Sequence, residues 1–360
     1  MILRQRRRSL TTALAVVTTA AVLSGCAVNE QGDTPSDLFG TIDAAGSSAQ
    51  SAAQDVWISN FQRQNAGVTI NYDPSGSGAG REQFLGGGVD FAGSDSALSE
   101  EELAGEFLAC AEGSQAIDLP VYVSPLVLVF NVEGLDTLRL DGASIAGIFA
   151  GTITRWNDPA LVALNDGAAL PDAAITAVHR SDDSGTTKNF TDYLFQNAPD
   201  VWPYEASDTF PVGGGEAAQG NSGVINAVSG GVNTIGYADA SRAEGLDVAE
   251  LKVGSEFVAY SAEAAAAIID ASPLEERENP NDIVVNVDRT SQAAGVYPLV
   301  LVSYLIACEQ YTNSEVADVI KAYLTYVATD GQQDAADSAG SAALSAEFSE
   351  KVLASIETIQ

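Results

Sequence analysis

The chain has 360 residues, of which 46% are hydrophobic and 7% aromatic, a composition typical of a globular protein long enough for two domains. Its 49 acidic residues outnumber 16 basic residues and give a formal net charge of -33, which argues against binding to nucleic acid or to anionic lipid through charge. The only histidine, His179, excludes a histidine-rich metal site and is the one base open to a Ser-His or Cys-His catalyst.

The N-terminal segment 1–25 is predicted to be a secretory signal peptide. Four arginines precede a short apolar segment, and small residues follow before a cleavage point. The ending Leu-Ser-Gly-Cys at positions 23–26 resembles a bacterial lipobox, which implies that Cys26 becomes the lipidated first residue of a lipoprotein. Acyl chains such as palmitate on Cys26 would hold the protein at the cell membrane. Residues 26–39 then form the lipidated cysteine and a flexible tether.

From residue 40 onward, short apolar runs alternate with longer helical stretches. Strands are predicted at Val68–Asp73, Val89–Asp95, Leu126–Val132, Ala174–Arg180 and Asn233–Asp239. The continuous apolar run LVLVFNV favours a buried parallel strand. Strands that alternate with helices indicate an α/β fold with mostly parallel sheets.

Helices are indicated by capping residues and by apolar spacing. The segment DGASIAGIFAG predicts a helix with Asp141 or Ser144 near its start. Near the C-terminus, apolar residues recur at every fourth position and predict an amphipathic helix; they are Leu344, Phe348, Val352 and Ile356.

Two cysteines remain once Cys26 is assigned to lipidation. Outside the cytoplasm, the pair Cys110 and Cys308 predicts a disulfide, the alternative being two separate buried thiols. The bond would close a loop of roughly 200 residues and contribute about 4–5 kcal/mol on the loop-entropy model.

Three turns rich in glycine and serine precede predicted helices. They are Gly46-Ser47-Ser48, Ser75–Gly80 and Ser184–Thr187. Each turn alone is explained by a helix cap. Backbone N–H groups at helix starts also attract anions, and α/β sheets bind ligands beyond the carboxyl ends of their strands. Because Arg180 and Asp95 end two of the predicted strands, the three turns together indicate a shared anion site.

Four segments carry a resemblance to a known family, the phosphate-binding lipoproteins of the Pst ABC transporter (PstS family). They are INYDPSGSGAGREQFLGGGVDFAGSDSALS, GIFAGTITRWNDPAL, HRSDDSGTTKNF and TIGYAD. Their order and spacing agree from about residue 40 to the C-terminus. The resemblance implies an extracytoplasmic, monomeric, non-enzymatic protein without cofactor or metal. Such a protein captures inorganic phosphate and delivers it to the transmembrane permease subunits of a phosphate ABC transporter.

The family's fold implies two lobes in a type II periplasmic-binding-protein-like arrangement, with two mixed sheets flanked by helices and a two-stranded hinge. Lobe I would comprise residues 40–122 and 297–360, and lobe II residues 123–296. The crossings would fall near Val121–Ser124 and Gly295–Pro298. Cys110 and Cys308 would then both lie in lobe I.

The family's phosphate contacts match residues of all three turns and of the strand ends: Ser48, Ala49, Ser77, Asp95, Arg180, Ser184, Gly185 and Thr186. Asp182 would orient the Arg180 guanidinium, and a local ion pair is the alternative. The first turn departs from the family's Gly-Ala-Thr-Phe, which leaves Ser47 as an alternative to Ser48. The second turn is Ser-Gly-Ser-Gly, in which Ser77 is the best match.

Asp95 bears on selectivity. Its carboxylate can accept a hydrogen bond from protonated phosphate but not from fully ionised sulfate, and an unmatched acceptor facing sulfate would be costly. The alternative role for Asp95 is a cap for the helix that begins in SALSEEEL.

Three other functions stay open on the sequence. One is the binding of another tetrahedral oxyanion, such as sulfate, molybdate or arsenate. Another is a serine hydrolase or phosphatase built around Ser184, although a G-x-S-x-G motif and a second histidine are lacking. The third is a structural or adhesive surface protein.

Overall fold

The computed structural model describes residues 36–360. The predicted signal peptide, Cys26 and most of the predicted tether lie outside the described residues. Within 36–360, no helix combines the length and the apolar character needed to cross a membrane.

The strands lie at positions close to those predicted. They are β1 (Phe39–Gly46), β2 (Gly67–Asp73), β3 (Phe91–Ser94), β4 (Ala116–Asn131), β5 (Arg139–Leu140), β6 (Thr176–Arg180), β7 (Glu216–Ala218), β8 (Thr234–Asp239), β9 (Asp247–Val248), β10 (Glu250–Val253), β11 (Glu256–Val258) and β12 (Val300–Cys308).

The helices alternate with these strands. They are α1 (Ser51–Gln64), α2 (Ser77–Leu85), α3 (Glu100–Leu103), α4 (Gly142–Phe149), α5 (Pro159–Leu164), α6 (Gly185–Asn197), α7 (Gly220–Gly230), α8 (Ala262–Ala271), α9 (Ser314–Ala328), α10 (Asp330–Ala339) and α11 (Ala346–Ile356). The helix predicted after Asp141 is α4, where Asp141 and Ser144 form a capping box. The amphipathic C-terminal helix is α11.

One long strand, β4, organises the main sheet. This nine-stranded sheet has the order β2-β1-β3-β12-β4-β8-β6-β7, and β9 pairs with β4 beside that path. Residues 116–125 of β4 pair with β12, and residues 126–131 pair with β8. β4 therefore joins a first half-sheet (β2-β1-β3-β12) to a second half-sheet (β8-β6-β7). A separate sheet has the order β11-β10-β5.

The prediction of a parallel strand at Leu126–Val132 is wrong. β4 runs antiparallel to β12, β8 and β9. Its continuous apolar sequence reflects burial, which extends from Ala116 to Phe130, and burial does not determine the direction of neighbouring strands.

The prediction of mostly parallel sheets is also wrong. β1 pairs parallel with β2 and β3, and β6 pairs parallel with β7 and β8, but every pairing of β4 and β12 is antiparallel. The mixed α/β architecture that the family resemblance implies is confirmed. The two half-sheets are joined into one sheet by β4. The division into lobes 40–122 plus 297–360 and 123–296 stays a prediction.

Aromatic side chains hold α1 against α10 and hold α6 against the second half-sheet. Trp57 of α1 is fully buried, and its Nε1 donates a hydrogen bond to the Gly331 carbonyl of α10 at 2.6 Å. Near the second half-sheet, the rings of Phe190 and Tyr237 stack with centroids 4.1 Å apart. Burying one such side chain stabilises the fold by about 1.5–3 kcal/mol. These contacts fix α1 and α6, whose first turns face the strand ends.

Cys110 and Cys308 form a disulfide in the structure, with sulfur atoms 2.05 Å apart. The bond ties the segment after α3 to the end of β12, within the region assigned to lobe I. It thereby holds the loop between α3 and β4 to the end of β12.

Candidate anion-binding site

The residues predicted to bind an anion gather where β1 and β3 of the first half-sheet and β6 of the second half-sheet end. The predicted ligand residues are all buried, with at most 8% of their surface exposed. The side chain of the supporting residue Asp182 is 14% exposed. Parallel strands bring their carboxyl ends to one edge of each half-sheet. The two edges face each other, because β6 and β8 run opposite to β1 and β3 and because β8 pairs with β4 beyond the part that pairs with β12. The structure therefore brings together Ser48, Ala49, Ser77, Asp95, Arg180, Asp182, Ser184, Gly185 and Thr186.

Two glycines allow close approaches between backbone segments at these strand ends. Gly46 has a φ of +143°, and a Cβ there would lie 1.9 Å from the carbonyl oxygen of Gly93. A Cβ on Gly185 would lie 2.6 Å from the carbonyl carbon of Asp95. A side chain at either position would force apart the turn after β1, the end of β3 and the start of α6.

The start of α6 presents unpaired backbone donors. Ser184 caps the helix, since its Oγ accepts a hydrogen bond from Thr187 N at 3.2 Å. The N–H groups of Gly185 and Thr186 have no acceptor among residues 36–360. Such first-turn N–H groups carry the positive end of the helix dipole, so this helix end favours an anion.

Asp95 accepts hydroxyl hydrogen bonds from three separate parts of the chain. Ser47 and Ser303 donate to Oδ1 at 2.5 and 2.6 Å, and Thr186 donates to Oδ2 at 2.9 Å. Burial raises the pKa of the Asp95 carboxyl, while these hydroxyls and the nearby Arg180 charge oppose that rise. The three hydroxyl donors orient the carboxylate and stabilise its ionised form.

The alternative role of Asp95 as a helix cap is wrong. The helix that follows is α3, and its N-cap is Ser99, whose side chain accepts from Glu102 N. Asp95 lies several residues earlier, and its carboxylate bonds to the hydroxyls described above.

Arg180 is held by Asp182 in a two-point ion pair. Nε of Arg180 donates to Oδ1 of Asp182 at 2.8 Å, and Nη2 contacts Oδ2. Gly220 N donates to the same Oδ1 at 3.0 Å. Burial acts to raise the pKa of Asp182, but the hydrogen bonds and charge of Arg180 outweigh burial and lower it. Nη1 of Arg180 is directed to Thr186 Oγ1 at 3.3 Å, so the guanidinium faces the start of α6.

Three serine hydroxyls accept hydrogen bonds and donate none within the described part of the chain. Ser48 Oγ accepts from Asn221 N and Nδ2, both at 3.1 Å, and Ser77 Oγ accepts from Asp95 N at 3.1 Å. Ser184 Oγ accepts from the cap bond described above. Because Ser47 donates its proton to Asp95, the geometry favours Ser48 over Ser47 as a donor to an anion.

The backbone of Ala49 is placed differently from the other predicted donors. Its N–H lies in the turn after β1 and donates to Ser47 Oγ at 3.0 Å. The structure thus brings Ala49 to the site and already pairs its N–H with a neighbouring hydroxyl.

Sequence reasoning missed Ser303 and Asn221. Ser303 lies on β12, 208 residues from Asp95, as a polar residue inside the apolar run PLVLVSYLIAC. Asn221 is the second residue of α7 and follows Gly220, whose φ is +68°. The isolated serine and the glycine turn before a helix are the signals that could have identified them.

His179 does not contact Ser184. Its ring stacks on Phe210 with centroids 4.2 Å apart, and its nitrogens lie 2.9 and 3.1 Å from the carbonyl oxygens of Arg180 and Gly214. Across residues 36–360, no group of three histidine, cysteine or acidic residues is arranged to hold a metal ion.

Known proteins are similar in sequence to this chain over most of its length. A family model described as a PBP superfamily domain matches residues 30–331. Phosphate-binding protein PstS 3 of Mycobacterium leprae is 37% identical over 343 residues, which cover 90% of this chain and 92% of that protein. Phosphate-binding protein PstS of Haemophilus influenzae is 29% identical over 313 residues, which cover 85% of this chain and 90% of that protein.

Solved structures share the fold. A high affinity periplasmic phosphate-binding protein (PfluDING), bound with phosphate, has a TM-score of 0.71 and 22% identity, covering 88% of this chain and 93% of that chain. The phosphate-binding protein from Stenotrophomonas maltophilia has a TM-score of 0.69 and 22% identity, with the same coverage of 88% and 93%. These similarities confirm the type II periplasmic-binding-protein-like fold. The chain belongs to the PBP superfamily and, within it, to the PstS family of phosphate-binding proteins.

Proposed function

We propose that this protein captures inorganic phosphate outside the cytoplasm and delivers it to the transmembrane permease subunits of a phosphate ABC transporter. The observation that carries the proposal is the set of donors around Asp95. The donors are the free hydroxyls of Ser48, Ser77 and Ser184, the N–H groups at the start of α6, and the Arg180 guanidinium. Hydrogen bonds to a charged ligand are stronger than neutral ones, and the guanidinium fork suits phosphate oxygens.

The carboxylate of Asp95 supports phosphate over sulfate. A carboxylate offers about four lone-pair positions, and the hydroxyls of Ser47 and Ser303 occupy Oδ1 while Thr186 takes one position on Oδ2. The remaining position on Oδ2 can accept the proton of a hydrogen phosphate ion. Sulfate and molybdate are fully ionised at neutral pH and offer no proton, so they would face an unpaired carboxylate oxygen. Arsenate carries protons as phosphate does and would have to be rejected by size.

Binding without chemical turnover is part of the proposal. Ser184 is a helix cap, and the imidazole of His179 lies against backbone carbonyls, so this pair does not form an activated nucleophile. We infer that the hydroxyls act as donors to the anion.

The proposed location follows from the N-terminal sequence, and the proposed monomeric state follows from the family resemblance. Lipidation of Cys26 would anchor a monomer to the outer face of the cell membrane, where the tether 26–39 lets it reach the permease.

Titration calorimetry tests the proposed ligand. The purified protein from residue 27 onward is titrated with phosphate, sulfate, molybdate and arsenate at constant ionic strength and neutral pH. We expect tight phosphate binding and no heat of binding for sulfate. Equal affinity for phosphate and sulfate would contradict the role of Asp95, and the absence of phosphate binding would contradict the proposed function.

A further inference from the structure

Asn221 contacts Ser48 and Thr186 in the candidate site and belongs to none of the turns that the sequence singled out. It is fully buried at the start of α7, a helix that packs against β8 and β6. An amide side chain in such a position must satisfy two donors and one acceptor. Its partners therefore show what the residue does.

The orientation of the Asn221 amide is set by the backbone of β8. Asp239 N donates to Oδ1 of Asn221 at 2.8 Å. Since the carbonyl oxygen of the amide faces this N–H, Nδ2 faces the other way, towards hydroxyls. Nδ2 lies 3.1 Å from Ser48 Oγ and 3.2 Å from Thr186 Oγ1.

These bonds leave Ser48 only one use for its proton. Ser48 Oγ accepts from both N and Nδ2 of Asn221, each at 3.1 Å, and these two bonds occupy its two lone pairs. Its O–H then has no protein acceptor in the region 36–360. A buried hydroxyl with both lone pairs occupied can only donate, which leaves the Ser48 proton free for an anion at the strand ends.

Thr186 is constrained in the same way. Its Oγ1 accepts from Nδ2 of Asn221 and from Nη1 of Arg180, and it donates to Oδ2 of Asp95. One amide therefore contacts a hydroxyl after β1 of the first half-sheet and a hydroxyl on α6 beside the second half-sheet. It holds both hydroxyls in fixed positions, and such preorganisation lowers the entropy cost of binding an anion.

We propose that Asn221 is a positioning residue for phosphate, which acts by directing the Ser48 hydroxyl at the ligand and by joining Ser48 to Thr186. The inference rests on the proposed phosphate-binding function. It assigns part of the affinity to a residue outside the predicted ligand set.

A double-mutant cycle tests this role. Phosphate affinity is measured by calorimetry for the wild type, Asn221→Ala, Ser48→Ala and the double variant. We expect Asn221→Ala to lower affinity by about tenfold, as for the loss of a charge-assisted hydrogen bond. In the Ser48→Ala background the same change should lower affinity by less than about threefold, because the hydroxyl that it positions is gone. Asn226, an exposed asparagine of the same helix, provides the control, and Asn226→Ala should leave affinity unchanged.

The outcomes separate the positioning role from a structural one. If Asn221→Ala causes the same loss with and without the Ser48 hydroxyl, the residue acts elsewhere and the inference is overturned. Thermal unfolding of each ligand-free variant shows whether it folds. If Asn221→Ala does not fold, Asn221→Ser, which removes Nδ2 but keeps a polar side chain, is taken through the same cycle with the same criterion. A wild-type protein that fails to bind phosphate overturns the proposed function instead.

Discussion

Thr186 donates its hydroxyl to Oδ2 of Asp95 at 2.9 Å, and this bond joins the start of α6 to the end of β3. It occupies one side of Oδ2, and the two hydroxyl bonds from Ser47 and Ser303 occupy Oδ1. Asp95 can therefore accept only one further hydrogen bond, at Oδ2. A ligand oxygen that carries a proton can donate a hydrogen bond to the remaining lone pair of Oδ2. An ionised ligand oxygen has no proton to donate and would leave that lone pair of Asp95 unpaired.

Asp95→Asn is expected to reduce the selectivity for phosphate over sulfate. The amide keeps the shape, removes the charge and offers an N–H to an ionised oxygen. A charge-assisted hydrogen bond is worth about 1.5–3 kcal/mol, so the affinity ratio should shrink by roughly ten- to a hundredfold. Competition calorimetry with both anions measures the ratio. Asp73→Asn, at the exposed end of β2, is the matched control. An unchanged ratio in Asp95→Asn would place the source of selectivity elsewhere.

Arg180→Ala is expected to weaken phosphate binding by about 2–4 kcal/mol, or roughly thirty- to a thousandfold. The change removes the guanidinium that faces the start of α6 and leaves Asp182 with a backbone partner only. Arg180→Lys should recover only part of the affinity, because an ammonium lacks the planar fork. Calorimetry measures all variants, and Arg155→Ala, from an exposed ion pair, is the control. An affinity of Arg180→Ala within about threefold of wild type would place Arg180 outside the site.

Asp208→Ala is expected to speed the release of phosphate. Asp208 pairs with Arg81 of α2 at 3.0 Å, accepts from Ser96 Oγ at 2.6 Å, and its carbonyl accepts from Ser184 N at 3.0 Å. The residue thus ties α2 and the end of β3 to the helix start that faces the anion. Losing the charged bond should cost about 1–2 kcal/mol in affinity, seen as a faster dissociation rate.

Stopped-flow dissociation and small-angle scattering together test this role of Asp208. The phosphate-bound variant should have a larger radius of gyration than the bound wild type, if closing of the two halves depends on the ion pair. Glu250→Ala removes the more exposed pair with Arg139 and should change neither quantity. A variant with an unchanged dissociation rate would show that the ion pair is unrelated to ligand retention.

Cys26→Ser is expected to release the protein from the membrane. The position ends the predicted lipobox, and serine cannot be acylated there through sulfur. Membrane fractionation of cells expressing each form measures the effect. Ser24→Ala, a change at the second residue of the same motif, is the control and should remain in the membrane fraction. Retention of Cys26→Ser in that fraction would contradict the anchor.

The local pattern predicted the cap of α6 by Ser184, because capping rules apply to residues a few positions apart. The family resemblance implied that Asp182 orients Arg180, and the structure shows the two residues paired. The contacts of Asp95 with Ser303 and of Ser48 with Asn221 span 208 and 173 residues. They depend on how β12 and α7 are placed by the whole sheet.

The direction of β4 is another global property. Its apolar sequence indicates that both faces of the strand are buried, but it does not indicate the direction in which β12 and β8 run. The family resemblance implied a mixed sheet where periodicity alone favoured a parallel one. The contacts between the two half-sheets could be predicted from neither, because they depend on side-chain positions in the folded chain.

Asp239→Asn is expected to change how the stability of the ligand-free protein depends on pH. Asp239 is buried at the end of β8, where it accepts from Tyr122 Oη at 3.1 Å and from Ser241 N at 2.9 Å. Burial raises the pKa of its carboxyl from 3.8 to about 6, the Ser241 N–H opposes the rise, and the charge of Asp95 adds to it. Between these two values the folded protein binds more protons than the unfolded chain. The free energy of unfolding therefore falls as the pH rises from about 4 to 6, and the penalty is fully present above that window.

The size of the effect follows from the pKa difference. A rise from 3.8 to about 6 corresponds to about 3 kcal/mol, since each pKa unit is worth about 1.4 kcal/mol. Asparagine does not titrate, so the stability of Asp239→Asn relative to wild type should increase by up to about 3 kcal/mol between pH 4 and 6.5 and then level off. Denaturant unfolding at several pH values measures this difference, and Asp247→Asn, at an exposed position on β9, is the control. A difference that does not vary with pH would mean that the Asp239 carboxyl titrates in the folded protein as it does in the unfolded chain.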